Sequence, residues 1–231
     1  MPDPRAQSAV PQAVQNVDSF QNWFSTLHSA GHELLRATRE WVYRPSGEHD
    51  YAFCWALRVA VRVSGEDRIK DNEVVLGRPD VAFVLAYCPA AKLPDCQVVL
   101  IREFRSAGAS ADGFVHELPC GSDGTGWLNA RQVALAELAE ETGLLIDPGR
   151  LVRHHARQLA ATFSVHRAHL FSVELSPAEL DVLRTDDTLH GDLSASEQTY
   201  VEVVRVRELL AAGTADWTTL GAIAEVLLTN R

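Results

Sequence analysis

The sequence contains few cysteines and no long hydrophobic run. Its four cysteines, Cys54, Cys88, Cys96 and Cys120, stand apart without a CxxC pair, which argues against structural zinc and implies no disulfide framework. No stretch approaches the ~20 apolar residues of a membrane-spanning helix, and the N-terminal residues lack the apolar centre of a signal peptide. We therefore expect a cytoplasmic protein with no membrane partner.

Basic residues are also scarce. The chain has 21 Lys and Arg against 31 Asp and Glu, for a net charge of −10 in 231 residues. This negative field repels nucleic acid and anionic membranes, so we expect no nucleic-acid partner. A small phosphate-containing ligand stays compatible with it if a few arginines converge locally and a metal ion assists.

The N-terminal part of the chain has a helical pattern. Residues 1–16 include three prolines and are expected to form a tail. Apolar residues then recur every three or four positions over residues 20–41, which predicts an amphipathic helix with Ser19 as its N-cap. This helix is expected to pack in a core or against a partner subunit.

From residue 51 onward, strand patterns dominate. Strands are predicted at residues 51–63, 69–76, 81–87, 97–104, 114–119, 151–158, 165–174 and 200–206. One helix is predicted from Asn129 in the middle of this series, a short one from Pro177, and two more after the last strand. This order predicts a mixed α/β (α+β) fold with a mixed β-sheet rather than regular βαβ repeats.

The central helix carries an acidic stretch, ALAELAEETGLLI, at residues 134–146. Its Glu137, Glu140 and Glu141 are spaced i, i+3 and i+4, where like charges repel. Gly143 is a natural helix end, so the acids lie where the helix dipole disfavours negative charge, at a local cost on the order of 1 kcal/mol. Mg²⁺ or Mn²⁺ would offset this cost because both prefer oxygen ligands. The alternative is a solvated acidic face of a surface helix.

The residues around this helix resemble the Nudix box. That pattern reads Gly, five residues, Glu, seven residues, then Arg-Glu-aliphatic-x-Glu-Glu-x-Gly-aliphatic. Gly121 matches its opening glycine, and the second half is matched by Glu137, Leu138, Glu140, Glu141, Gly143 and Leu144. The ELP at residues 117–119 is typical of the branch that resembles ADP-ribose pyrophosphatases. The similarity continues in VVLIREFR, SEQTYVEVVRV and DWTTLGAIAEVLL, and it covers roughly residues 51–229.

Two positions depart from the pattern. Ala136 replaces the box arginine, and no glutamate stands at the first Glu position, near Trp127 or Leu128. The spacing from Gly121 to Glu137 is also one residue too long. Because losing both partners together leaves no unpaired charge, we hypothesise that Trp127 or Leu128 packs against Ala136 instead.

The resemblance implies a metal site and a catalytic base. Metal ions would lie between Glu137, Glu141 and the backbone carbonyl of Cys120, with Glu140 adjacent. Glu197 is the best-placed candidate for the general base, although it also suits an ordinary surface acid at a strand start.

The resemblance also implies substrate-binding residues. Arg102 and Arg105 would bind phosphate, for which the planar guanidinium is well shaped, or they are plain strand-edge charges. Glu117 would bind metal-bound water or ribose, or close a hydrogen bond in the loop. Gly121 would let the backbone approach the ligand.

The expected function is therefore that of a metal-dependent Nudix hydrolase, with an α/β/α sandwich fold. It would cleave the diphosphate of a nucleoside diphosphate linked to another moiety, such as ADP-ribose or a related nucleotide sugar, with Mg²⁺ or Mn²⁺ as cofactor. Residues 1–48 would form the tail and helix, and residues 49–231 the Nudix-like domain, beginning with a β extension at 49–77 that suits a homodimer. The alternatives are an inactive nucleotide-binding or regulatory protein of the same fold, and a hydrolase of an unusual nucleotide.

Overall fold

The computed structural model of the protein describes residue 10 and residues 12–44, 52–123, 128–192 and 196–229. The chain divides into two compact units. One comprises residues 1–80 and 158–167, and the other residues 81–157 and 168–231.

The first unit contains a three-stranded antiparallel sheet and two helices. Helices α1 (Gln12–Gln15) and α2 (Asp18–Ser29) precede strands β1 (Glu33–Tyr43), β2 (Cys54–Arg62) and β3 (Ile69–Gly77), which lie in the order β1-β2-β3. The fully buried Trp55 lies in the core, with its ring edge-on to that of Phe20 at 5.8 Å. Its indole Nε1 donates a hydrogen bond to the Ser19 hydroxyl at 3.0 Å.

The predicted helix over residues 20–41 is wrong in its second half, where β1 is found. Helix α2 ends at Ser29, and Gly31 follows with a φ of +80°. Strand β1 buries Leu34 and Ala37, three positions apart, because a shift in the β1–β2 register directly after Leu34 interrupts the alternation of the strand. A bulged strand therefore reproduced the apolar spacing of a helix.

Two smaller N-terminal predictions are also wrong. Residues 12–15 of the expected tail are helical, and Val10 and Val14 are buried; residues 1–9 and 11 lie outside the described residues. Helix α2 begins at Asp18, so Ser19 is not its N-cap, and the Ser19 hydroxyl accepts the indole hydrogen bond instead.

The second unit is built on a mixed sheet. Its strands are β4 (Val81–Cys88), β5 (Gln97–Phe104), β6 (Phe114–Glu117), β7 (Cys120–Gly121), β8 (Val152–Gln158), β9 (Arg167–Glu174) and β10 (Thr199–Arg205). The main path is β10-β5-β4-β9-β8, while β6 pairs with β5 and β7 with β4. Strands β4 and β9 are parallel, and β5 runs antiparallel to β10 and β4.

Four helices accompany this sheet: α3 (Ala130–Thr142), α4 (Pro177–Arg184), α5 (Val206–Ala212) and α6 (Trp217–Thr229). The mixed α/β architecture confirms the expected α+β class, and each strand predicted from residue 51 onward is present. None of the described helices is long and apolar enough to cross a membrane.

Local sequence determines where α3 begins and ends. The Asn129 side chain accepts from the backbone N–H groups of the first turn, the Gln132 side chain returns a hydrogen bond to the Asn129 backbone, and Gly143 ends the helix with a φ of +69°. Between these ends, Ala134 and Leu138 pack in the core of the sheet. Helical spacing continues this buried stripe through residues 137 and 141, so two glutamates are carried toward the sheet.

Candidate metal centre

Glu141 is a fully buried carboxylate in the last turn of α3. Its Oε2 accepts a hydrogen bond from the backbone nitrogen of Cys120 at 2.7 Å, while its Oε1 has no hydrogen-bond partner among the described residues. Burial raises the pKa of Glu141 to about 9, and neighbouring carboxylates add to the effect. Because an unpartnered buried oxygen is costly, this position favours a proton or a cation.

Glu137, one turn earlier on α3, lies directly against the backbone of Gly121 in β7. A Cβ atom at Gly121 would overlap the carboxylate of Glu137, which would then have to move. Burial raises the pKa of Glu137 to about 7, and the charges of Glu140 and Glu197 contribute further. The opening glycine of the motif and its first matching glutamate thus meet in space.

Two further carboxylates meet Glu141 from the side of the sheet. One oxygen each from Glu103 in β5, Glu197 in the loop before β10 and Glu141 all lie within 4.8 Å of one another. Glu103 is 7% exposed, since it shares with Val99 the face of β5 that packs against α3. Burial raises the pKa of Glu103 to about 7, and the charge of Arg105 partly opposes this.

Arg105 is a basic side chain at this cluster. Its Nε and Nη2 donate to Oε1 of Glu117 at 3.0 and 2.7 Å, and Nη2 also lies 2.8 Å from Oε2 of Glu103. The contact with Glu103 is at ion-pair distance but outside hydrogen-bond geometry. One guanidinium shared between two carboxylates leaves an excess of negative charge in the cluster.

Hydrogen bonds tie the end of α3 to the loop that carries Glu197. The buried Thr199 hydroxyl donates to the carbonyl of Glu141 at 3.0 Å, and the Gly191 nitrogen donates to the carbonyl of Glu140 at 3.0 Å. The side chain of Glu140 is exposed, and partial burial followed by the charge of Glu197 raises its pKa. Residues 193–195 of the loop lie outside the described residues.

Most of the predicted site residues come together around this cluster. They are Glu117, Cys120, Gly121, Glu137, Glu141, Glu197 and Arg105, with Glu140 at the exposed margin. The contact found for Cys120 is through its amide nitrogen; the metal-binding role of its carbonyl stays a prediction. Glu103 also belongs to the carboxylate cluster, although the resemblance did not predict it. The sequence indicates it only by placing an acidic residue at a core-facing position of a predicted strand.

Arg102 lies away from the cluster. Adjacent residues of a strand point to opposite faces, so Arg102 and Glu103 diverge. The Arg102 guanidinium stacks 4.3 Å from the ring centre of Phe114 and 5.1 Å from that of Tyr200, with Glu202 at 3.8 Å. These contacts explain the position of the Arg102 side chain without requiring a phosphate ligand.

The packing hypothesis for the altered box positions is wrong for Leu128. Ala136 is exposed, and Leu128 is 46% exposed, so the two do not form a buried apolar contact. Trp127 lies outside the described residues.

The donor set fits a hard divalent cation. The carboxylates present only oxygen, the ligand that Mg²⁺ and Mn²⁺ prefer, and one of these oxygens is buried without a partner. No protein-family model matches the chain, and no curated protein matches it significantly.

Proposed function

We propose that the protein is a metal-dependent hydrolase with a Nudix-like site. It cleaves the diphosphate bond of a nucleoside diphosphate linked to another moiety, with ADP-ribose or a related nucleotide sugar as the substrate class. The observation that carries this proposal is the buried Oε1 of Glu141, without a hydrogen-bond partner among the described residues and surrounded by carboxylates. Such a group is costly to the fold, and strongly perturbed carboxylates in clusters are characteristic of functional sites.

The metal-binding residues in this proposal are Glu137 and Glu141, together with the backbone carbonyl of Cys120, and Glu140 lies beside them. A bound Mg²⁺ or Mn²⁺ would supply neutralisation of the diphosphate charge and a lowered pKa for bound water. The close approach of Glu137 to Gly121 supports this assignment because it brings the carboxylate beside the backbone of β7.

Glu197 is the proposed general base, and its carboxylate takes a proton from the attacking water. The water oxygen bonds to one phosphorus while the bond from that phosphorus to the bridging oxygen breaks. The bridging oxygen leaves with the other phosphate. The products are a nucleoside monophosphate and a phosphorylated second moiety.

Arg105 is the better placed of the two arginines for binding the diphosphate. It is near Glu103 and Glu117 at the cluster and keeps part of its side chain exposed. Glu117 orients its guanidinium through two nitrogens, which leaves other N–H groups for phosphate oxygens. The aromatic contacts of Arg102 make a direct phosphate contact from that side chain less favourable.

Product release by the purified protein tests the proposal. ADP-ribose, other nucleotide sugars and dinucleotides are incubated with Mg²⁺ or Mn²⁺, and released monophosphate is separated by chromatography. We expect release that EDTA abolishes and that Glu141→Gln lowers by about 100-fold or more. Glu208→Gln is a matched control because Glu208 is an exposed helical glutamate paired with Arg205.

A nucleotide-binding protein without turnover is the second candidate, and Ala136 at the box arginine position favours it. Cation and nucleotide binding without product from any substrate would support this alternative. A protein that binds no divalent cation would contradict both.

The proposed enzyme acts as a cytoplasmic homodimer, on the pattern of the branch it resembles. Light scattering coupled to gel filtration measures the mass of the assembly, and a monomer would contradict this part of the proposal.

A further inference from the structure

Glu103 is a buried carboxylate that the Nudix-like motif does not explain. It belongs to β5, outside residues 117–144, and it is 7% exposed. One of its oxygens lies within 4.8 Å of an oxygen of Glu141 and of an oxygen of Glu197. A surface position would let water solvate this charge, but Glu103 is enclosed.

The geometry of the three carboxylates matches the ligand shell of a single cation. Two oxygens that bind one cation at about 2.0–2.6 Å lie at most about 5 Å apart, and this condition holds for all three pairs. Ionised carboxylates only accept hydrogen bonds, so they cannot satisfy one another.

A second observation points to a ligand at this place. Glu141 is fully buried, and the Cys120 amide engages its Oε2 while its Oε1 has no hydrogen-bond partner among the described residues. A coordinating cation would supply the missing partner for Oε1 and bring Glu103 and Glu197 into the same shell.

We propose that Glu103 is a ligand of the divalent cation, together with Glu141 and one oxygen of Glu197, and that Arg105 is its counter-ion in the cation-free protein. The other oxygen of Glu197 keeps the role of general base. This inference rests on the proposed function and adds a ligand from β5 to the residues of the motif. Cation binding draws Glu103 away from Arg105. The positive charge of Arg105, whose Nη2 lies 2.8 Å from Glu103 in this structure, then becomes available to an anionic substrate, while Nη2 keeps its hydrogen bond to Glu117.

Calorimetric titration with Mn²⁺ alone tests the assignment without requiring activity. The intact protein is stripped with EDTA, dialysed and titrated as wild type, Glu103→Gln and Glu202→Gln. Glu202 is the matched control, since it is a partly buried sheet carboxylate paired with His116 and Arg102 on the other face. We expect Glu103→Gln to weaken Mn²⁺ binding by about tenfold or more and Glu202→Gln to leave it unchanged.

Arg105→Gln distinguishes a ligand from a purely structural ion-pair partner. Removing the counter-ion should strengthen Mn²⁺ binding by about threefold or more, because a positive charge next to the site is lost. A through-space effect of the Arg105 charge alone predicts the same gain in the wild type and in Glu103→Gln, whereas a ligand role for Glu103 predicts a smaller gain in the Glu103→Gln background. Glu103→Asp, which keeps the charge and shortens the side chain, replaces Glu103→Gln if circular dichroism shows that Glu103→Gln does not fold.

The outcomes separate this inference from the proposed function. Wild-type affinity in Glu103→Gln, with binding lost in Glu141→Gln, would overturn the role of Glu103 and leave the proposed function intact. A gain in Arg105→Gln that is absent, or equally large in the wild-type and Glu103→Gln backgrounds, would also overturn it. If the wild type does not bind Mn²⁺, both proposals fall.

Discussion

Replacing Glu141 by glutamine removes an ionisable group while keeping the shape of the side chain. The amide oxygen of glutamine can still accept the hydrogen bond from Cys120. In the wild type, burial raises the pKa of Glu141 from 4.5 to about 9. Between these two pH values Glu141 keeps its proton in the folded protein but loses it in the unfolded chain. The free energy of unfolding is therefore highest below the pKa of Glu141 in the unfolded chain, and it falls as the pH rises toward 9.

The size of the effect follows from the width of this window. Each pH unit within it lowers the free energy of unfolding by about 1.4 kcal/mol. Between pH 5 and pH 7 the wild type should therefore lose about 3 kcal/mol through Glu141 alone. The glutamine variant has no such loss, and the cost of its buried NH₂ group is the same at both pH values. In metal-free protein we expect the variant to gain about 3 kcal/mol relative to the wild type over this interval.

Urea denaturation in EDTA, followed by circular dichroism at pH 5, 6 and 7, measures this difference. Glu140→Gln is the control because Glu140 is on the same helix but exposed, and its stability relative to the wild type should change much less between pH 5 and pH 7. A relative change below about 0.5 kcal/mol for Glu141→Gln, comparable to the error of such extrapolations, would refute the reasoning. In a parallel series at pH 7, Mn²⁺ at 100 times its Kd should stabilise the wild type by about 2.7 kcal/mol and the variant hardly at all.

Three further substitutions test the surroundings of the cluster. Gly121→Ala places a methyl group where the carboxylate of Glu137 lies, so the carboxylate has to move and we expect Mn²⁺ binding to weaken by about tenfold; unchanged binding would contradict the role of this close approach. Thr199→Val removes the buried hydrogen bond to the Glu141 carbonyl and should cost about 1–2 kcal/mol, whereas Thr199→Ser should retain most of it. Arg102→Gln should cost about 1 kcal/mol through lost ring stacking and leave Mn²⁺ affinity unchanged, and a weaker affinity would show that this side chain reaches the cluster.

Much of the second unit could be predicted because local signals agree with tertiary packing. The ends of α3 follow from Asn129 and Gly143, whose side-chain cap and left-handed φ are local properties. The strands are short apolar runs between turn residues, and packing in the sheet did not override them. The register of β1 could not be read in this way, because a bulge after Leu34 imitates a helical period.

The residues of the candidate site that belong to one segment of the chain could be predicted, whereas the residue that a different strand contributes could not. Glu137 and Glu141 are recognisable from their spacing and from Gly121 before them. Glu103 is brought to them only by the pairing of β5 with β10 and by the packing of α3 on that face. Such contacts between distant segments leave no local pattern. Arg102 and Arg105 of REFR look alike in the sequence. The alternation of side chains along β5 places Arg102 on the face away from the cluster, and the motif itself does not reveal this.

The three glutamates of α3 are not equivalent, because Glu140 is exposed whereas Glu137 and Glu141 lie toward the sheet. Glu140 is exposed, so it fits the alternative of a solvated acidic face on a surface helix. Glu137 and Glu141 occupy the positions that continue the buried stripe of Ala134 and Leu138, where apolar side chains would pack without a desolvation cost. Keeping carboxylates at those positions lowers the stability of the metal-free protein at neutral pH. A bound cation would reverse the balance because it would stabilise the ionised form that burial disfavours. This balance supports the proposed cation site at the end of α3.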